Sequence, residues 1–298
     1  MELFRALAVL AEPPGRPEVA RLARLIELGD PPSSSDYTET FVFQLPPYAS
    51  VYLGAEGMLG GEARDRVGGF LAALGQTPPP EPDHLVILLA TYAELAASDG
   101  DGRGEEQRAR SIEGRRIARK AFLWEHLLSW LPAYLDKLAG VAPPFYRRWG
   151  ELLLDALLEE AAGTGTPAAL PLHLREAPAM SDPRAVATAD EFMQSLLAPA
   201  RSGLILTRAD LARAAHTLGA GLRAGERKFA LKSLLGQDAA GALAWLAGEA
   251  SAWAVRHASR RDALGEVAEW WSRRAEATAM LLDELKADAG SDGAEARP

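Results

Sequence analysis

The sequence contains no cysteine among its 298 residues. This absence excludes disulfide bonds, thiolate zinc sites, iron–sulfur ligation and cysteine nucleophiles. Basic residues are also fewer than acidic ones. The sequence has 32 Lys and Arg and 41 Asp and Glu, which give a formal net charge of −9. That balance disfavours a dedicated nucleic-acid binder, whose affinity comes largely from neutralising phosphates. It favours a protein that meets a cationic partner.

The sequence also lacks a long apolar run. A helix needs about 20 apolar residues to cross a bilayer. The most apolar stretch, residues 85–97, is shorter than that and contains Glu94. Residues 1–11 lack the basic beginning of a secretory signal and lead into two prolines instead of a cleavage site. We therefore expect a cytoplasmic protein without membrane insertion.

Common catalytic motifs are missing. The five histidines are scattered without an H-E-x-x-H pair, no G-x-S-x-G elbow is present, and no glycine precedes a lysine as in a Walker loop. Residues 219–224 fit the G-x-G-x-x-A dinucleotide pattern, but they follow an amphipathic helical pattern where that motif needs a strand. A glycine-rich helix end is favoured there. The sequence predicts a protein that is not an enzyme and has no metal site and no cofactor.

Helical periodicity dominates what is present. Leu85, Leu88 and Tyr92 recur at the spacing of one helix face, and similar stripes appear throughout the chain. Strand alternation is nearly absent, and its best candidate, residues 40–43, is short. These patterns predict an all-α fold, a multi-helix bundle followed by a smaller helical unit. The predicted helices lie near residues 1–11, 16–28, 55–74, 82–98, 104–138, 144–161, 184–198, 207–219, 225–235, 238–257 and 259–286.

A stretch rich in proline and glycine, residues 163–183, divides the chain. A chain of this length commonly forms about two domains. We predict a first domain over residues 1–162, this stretch as a linker and a helical extension over residues 184–286. The polar residues 287–298 are expected to form a disordered tail.

Two short clusters stand out in the first domain. The first is Pro-Pro-Tyr-Ala-Ser-Val-Tyr-Leu, in which Tyr48 and Tyr52 each offer an apolar ring with a polar tip. A loop anchored on the core by two tyrosines is the simpler interpretation. The second is Glu-Pro-Asp-His-Leu, which reads as a helix start because Pro82 suits the first turn. Asp83 and His84 at that helix start could also receive a cationic or hydrogen-bonding ligand.

A third cluster covers residues 122–132. His126 and Trp130 are four residues apart and therefore share a helix face, with apolar residues around most of the circumference. Pro132 should break or kink the helix near Leu128, whose carbonyl it obstructs. A kinked central helix can border a groove, and a core histidine with a satisfied hydrogen bond is the alternative for His126.

The order of these clusters, Y-x-S-V-Y-L, then E-P-D-H-L, then F-L-x-x-H-L-x-x-W-x-P, resembles the TorD/DmsD-like chaperones over residues 1–160. The resemblance implies an all-helical cytoplasmic chaperone that binds the twin-arginine signal peptide and the apo form of a molybdoenzyme of the dimethyl sulfoxide reductase type before cofactor insertion. A homodimer is a further possibility under this interpretation. The implied peptide-binding residues are Tyr48, Tyr52, Asp83, His84, His126 and Trp130.

The chain departs from that family in two places. Leu88 stands where the family usually carries a glutamate, and residues 184–298 have no recognised counterpart. The extension contains a basic stretch, residues 201–232, in which two short helices could form a helix-turn-helix. A DNA-binding regulator is therefore one alternative, and an enzyme with an unrecognised histidine–carboxylate site is another. A packing extension with a solvated basic face is the favoured interpretation, because the whole chain is acidic.

Overall fold

The computed structural model describes residues 2–97, 105–185, 188–222 and 225–295. These ranges form helices and contain no β-strand, only two isolated bridges, so the all-α prediction is confirmed. The chain forms two compact units. The first unit contains residues 1–50 and 59–175, and the second contains residues 51–58 and 176–298.

The first unit is built around a helix that is apolar on most sides, as the sequence pattern of residues 85–97 predicts. Its residues Leu85, Leu88, Leu89 and Tyr92 are fully buried. The helices of this unit are α1 (Glu2–Leu10), α2 (Pro17–Leu25), α3 (Ser34–Tyr37), α5 (Gly61–Ala73), α6 (Leu85–Ala97), α7 (Glu105–Phe122), α8 (Leu131–Val141) and α9 (Pro144–Thr164). Two further short helices, α4 (Ala49–Leu53) and α10 (Leu172–Glu176), contain points at which the chain passes from one unit to the other.

The strand candidate at residues 40–43 is wrong. The chain forms a π-helix there, Thr38–Gln44, which continues directly from α3. The wider π-helical turn buries Phe41 against Tyr146 and Trp149, with ring centroids 4.7 and 6.2 Å apart. Tertiary packing of one aromatic ring therefore outweighs the weak alternation of the local sequence.

The helix break expected at Pro132 is confirmed. A second π-helix, Leu123–Leu128, follows α7, and regular helical geometry ends at Trp130, where φ is −142°. Helix α8 then begins at Leu131 with Pro132 in its first turn, where no backbone N–H is needed. His126 and Trp130, on the N-terminal side of the break, are both buried.

The second unit is dominated by two long helices that pack against each other, α15 (Ala239–Ala258) and α17 (Glu266–Glu295). Between them, Ser272 donates a hydrogen bond to the backbone oxygen of Ala254 at 3.1 Å. Gly219 ends α13 (Arg208–Leu218) in a left-handed conformation, with φ +62°, as the helix-end interpretation of residues 219–224 predicts. The helices are α11 (Ala189–Leu197), α12 (Pro199–Ser202), α13 (Arg208–Leu218), α14 (Arg227–Gln237), α15 (Ala239–Ala258), α16 (Arg261–Leu264) and α17 (Glu266–Glu295).

The unit boundaries differ in detail from the predicted domains. The main division falls at residues 175 and 176, inside the predicted linker 163–183, and residues 51–58 belong to the second unit. Helix α17 continues through Glu295, where the sequence predicts a disordered tail from residue 287. Good helix formers such as Ala287 and Ala289 extend a helix that is already docked along α15. Residues 296–298 lie outside the described residues.

Candidate functional site

The first two sequence clusters meet in the first unit. The backbone N–H of Leu85 donates to the oxygen of Pro47 at 2.8 Å, and that of Ala49 donates to the oxygen of Asp83 at 3.0 Å. Between these bonds, Tyr48 and His84 form an isolated antiparallel bridge. Segments that are more than thirty residues apart in sequence therefore present their side chains side by side.

Asp83 is the buried anchor of this arrangement. Its residue is 2% exposed, and its carboxylate accepts a hydrogen bond from the backbone N–H of Ser50 at 3.0 Å. Ser50 lies in the first turn of α4, where backbone N–H groups lack partners within the helix and a negative charge is stabilising. The Ser50 hydroxyl in turn accepts from the N–H of Gly60 at 3.0 Å. Asp83 therefore holds the two clusters and the following loop in position.

Tyr48 and His84 form the accessible part of the pair. Their rings meet edge to face with centroids 4.8 Å apart, and the Tyr48 hydroxyl donates to the Glu81 carboxylate at 3.0 Å. Partial burial and that hydrogen bond raise the pKa of Tyr48 to about 12. Burial lowers the pKa of His84 below its ordinary value, against the opposing charges of Glu81, Asp83 and Glu12.

Burial favours the neutral form of the His84 ring, and a hydrogen bond defines the tautomer of that form. Its Nδ1 accepts the backbone N–H of Val86 at 3.2 Å, so the proton lies on Nε2. A neutral imidazole in this tautomer offers one N–H donor and adds no positive charge to its surroundings. A cationic ligand can therefore approach it without repulsion.

His84 lines a cavity of about 470 Å³ that we call the acidic cleft. Two carboxylates, Glu12 and Glu81, lie among walls that are otherwise largely apolar. Such a combination accommodates a chain segment that carries both positive charge and apolar side chains. The lining residues of the acidic cleft are Glu12, Pro13, Tyr37, Pro79, Pro80, Glu81, His84, Val86 and Ile87.

His126 and Trp130 lie in different surroundings. The His126 ring packs against Phe70, Phe122 and His173, with centroids 5.1, 5.2 and 6.3 Å away. It is 5% exposed, and burial lowers its pKa to about 3, with a further contribution from His173. The fully buried Trp130 donates its Nε1 hydrogen to the backbone oxygen of His126 at 2.9 Å. Neither residue is among the described residues that line the acidic cleft.

Tyr52 lies in the second unit, unlike Tyr48. Its residue is 2% exposed, and burial raises its pKa, an effect that the charge of Arg227 opposes. The structure thus brings Tyr48, Asp83 and His84 together and places His126, Trp130 and Tyr52 in buried positions elsewhere. A role in peptide binding remains a prediction for all six residues.

Sequence reasoning missed half of the acidic cleft. Glu12 and Pro13 follow α1, and Tyr37 ends α3, so they reach His84 only through the tertiary fold. The runs of proline at residues 13–14 and 78–80 were a usable signal, because proline-rich segments stay extended and expose flat apolar rings. No comparable pattern marks Glu12.

Comparison with a family model covers the residues that carry Tyr48, Asp83 and His84. A family model described as the nitrate reductase delta subunit matches residues 16–136. The chaperone protein TorD of Vibrio vulnificus strain YJ016 is 34% identical over 97 residues, which are 31% of this chain and 43% of that protein. Part of the chain is therefore similar to the TorD chaperones. The TorD of Vibrio cholerae serotype O1, strain ATCC 39541, gives 34% over 95 residues, 30% of this chain and 41% of that protein.

The TorD-like match has clear limits. The chain spans less than half the length of the curated relatives it matches. The family model includes Tyr48, His84 and His126, but Glu12, Pro13 and the extension over residues 184–298 lie outside it. Within the described residues, no helix combines the length and apolarity needed to span a membrane, and no three histidine or carboxylate side chains converge as metal ligands.

The buried position of Asp83 leads to a first prediction. Asp83→Asn should lower the free energy of unfolding by about 1–3 kcal/mol, because the charged acceptor of a buried N–H is replaced by a weaker one. Urea denaturation of the variant and the wild type measures this loss. Asp155→Asn on α9, an exposed position, is the matched control and should change stability by less than about 0.5 kcal/mol. Equal stability of both variants would show that the carboxylate does not anchor Ser50.

Proposed function

We propose that this protein is a cytoplasmic molecular chaperone, without catalytic activity, for a molybdoenzyme of the dimethyl sulfoxide reductase type. It binds the twin-arginine signal peptide and the apo form of its client before cofactor insertion and export or assembly. The observation that carries this proposal is the acidic cleft beside the Tyr48–His84 pair, within a TorD-like unit. The names of the TorD relatives support the chaperone role.

The charges of the acidic cleft suit adjacent arginines. Glu81 accepts the Tyr48 hydroxyl through Oε2, and its second oxygen is left for a guanidinium donor. The charges of Glu12 and Asp83 act on the same region, as their opposing effect on the pKa of His84 indicates. Arginine is the cation best matched to such a rim, because its planar fork bonds to carboxylates and stacks on aromatic rings.

The walls of the acidic cleft suit the apolar part of a signal peptide. Pro79 and Pro80 offer apolar rings, and Val86 and Ile87 on α6 offer branched side chains. A peptide that contains arginines followed by leucines would bury apolar surface here, at about 25 cal/mol per Å². In this proposal Tyr48 and His84 contact the peptide, and Asp83 positions them. The buried His126 and Trp130 support the fold of the first unit, and peptide binding by Tyr52 stays a prediction.

The test is calorimetric titration of a synthetic peptide with two adjacent arginines followed by eight leucines and alanines. Glu81→Gln should weaken peptide binding about three- to ten-fold and should reduce the dependence of the affinity on salt, because the variant removes one negative charge from the acidic cleft. Glu151→Gln, an exposed position on α9, removes the same charge and should leave the affinity unchanged. A peptide with two glutamines in place of the arginines should bind the wild type more weakly by a similar factor.

Two results would contradict the proposal. One is equal affinity of the wild type for the arginine and glutamine peptides. The other is an equal loss of affinity in Glu81→Gln and Glu151→Gln, since that would place the peptide away from the acidic cleft. Thermal melts of both variants show whether each remains folded at the temperature of the titration.

The alternative of a DNA-binding regulator finds little support in the second unit. Arg213 contacts Asp210 at 2.9 Å and Glu249 at 3.1 Å, and Lys228 contacts Asp190 at 3.2 Å. These carboxylates lower the net positive charge of the stretch, on which phosphate binding depends. Arg223, which belongs to the same basic stretch, lies outside the described residues.

A further inference from the structure

An arginine of the chain itself forms an ion pair with one carboxylate of the acidic cleft, without a hydrogen bond to the paired oxygen among the described residues. The Arg16 guanidinium forms an ion pair with Oε2 of Glu12, four residues before it in sequence. The Arg16 side chain is 66% exposed, whereas that of Glu12 is 22% exposed. The Glu12 carboxylate is therefore partly shielded from solvent, whereas most of the Arg16 side chain is exposed.

The local backbone explains how Arg16 reaches this position. Helix α1 ends at Leu10 and α2 begins at Pro17, so Glu12 and Arg16 lie on the short connection between them. Gly15, with φ +135°, turns the chain between the two residues. Arg16 is the residue before α2, and its side chain forms no hydrogen bond that caps the helix. Its role is therefore not to complete the helix start.

We propose that Arg16 is an internal competitor of the client's arginine for Glu12, so that it weakens peptide binding and favours release. This inference rests on the proposed function. Glu12 lines the acidic cleft and its charge reaches both Tyr37 and His84. A bound arginine can take both oxygens of the Glu12 carboxylate, as a bidentate guanidinium does, only if Arg16 moves away. Exposed ion pairs contribute little, so Arg16 can be displaced at small cost and can return when the client leaves.

The competition gives Glu12 and Arg16 opposite effects. Arg16→Ala frees the carboxylate and should tighten binding of the two-arginine peptide about three-fold. Glu12→Gln removes the shared partner and should weaken binding by a similar factor. In the Glu12→Gln background, Arg16→Ala should have almost no further effect, because the two side chains act through one contact.

The experiment is calorimetric titration of that peptide into the wild type, the two single variants and the double variant. Arg21→Ala is the matched control, since Arg21 is an exposed arginine on α2 and its loss changes the net charge equally. An affinity gain in Arg16→Ala that exceeds the gain in Arg21→Ala and disappears in the double variant supports the inference. Unfolding measurements by urea accompany each variant.

The possible failures are distinguishable. Equal gains in Arg16→Ala and Arg21→Ala, with normal peptide binding by the wild type, would overturn the competitor role alone and leave the proposed function standing. A gain in Arg16→Ala that persists in the Glu12→Gln background would also overturn it, because Arg16 would then act by long-range charge. Peptide binding absent from every variant and the wild type would overturn both proposals.

Discussion

Replacing Gly203 with alanine should lower the free energy of unfolding of the second unit by about 3 kcal/mol or more. Gly203 has φ +78°, which strains any L side chain. An added Cβ would lie 2.4 Å from the backbone nitrogen of Ala275 and 2.8 Å from its Cα. Backbone atoms of α17 cannot rotate away as a flexible side chain would, so the chain must shift. The shift would also disturb the buried contact of 2.9 Å between Gly203 O and Nε2 of His257.

A second glycine of the same unit provides the control. Gly248 lies inside α15, and an added Cβ there meets no atom within 4 Å. Gly248→Ala should therefore stabilise the unit by about 0.5–1 kcal/mol, as expected for this exchange in a helix interior. Urea denaturation followed by circular dichroism measures both variants. Two small effects of the same sign would mean that Gly203 is not in close contact with α17.

Acidification should destabilise the first unit strongly through His126. The ordinary histidine pKa is 6.5, and burial lowers the pKa of His126 to about 3. Because the unfolded chain binds this proton more readily, the stability present above pH 6.5 is lost as the pH falls toward 3. The loss reaches about 3 kcal/mol by pH 4, at 1.36 kcal/mol for each pH unit. His257 in the second unit shows the same direction, with a pKa of about 4.

The measurement is the free energy of unfolding between pH 7 and pH 4 in the wild type and in His126→Phe. Phenylalanine keeps a ring between Phe70 and Phe122, and within the described residues the Nδ1 of His126 has no hydrogen bond to lose. The variant should lose most of the pH dependence contributed by this site. His216→Gln, an exposed position on α13, should retain the full dependence. Identical pH profiles of the wild type and His126→Phe would contradict the assignment.

Local sequence signals predicted most helices and the break at Pro132, because periodicity, proline and glycine act within a few residues. The π-helix at Thr38–Gln44 was beyond such reasoning, since it depends on Phe41 reaching Tyr146 more than a hundred positions later. The residues of the candidate site also fall into a group that local sequence predicts and a group that only the tertiary fold brings together. Asp83 and His84 are visible as a helix start, whereas the approach of Glu12 and Tyr37 is a product of tertiary packing.

The assignment of residues 51–58 to the second unit bears on how this chain is synthesised. Gln194 donates to the backbone oxygen of Glu56, and Gly57 packs so closely on Ala198 that a Cβ would lie 2.9 Å from its Cα. These partners leave the ribosome more than a hundred residues after the segment does. At the roughly 5–20 residues per second of translation, Glu56 and Gly57 wait several seconds or more for these partners. During that interval, a nascent chain of this protein holds residues 51–58 without the partners that complete the second unit.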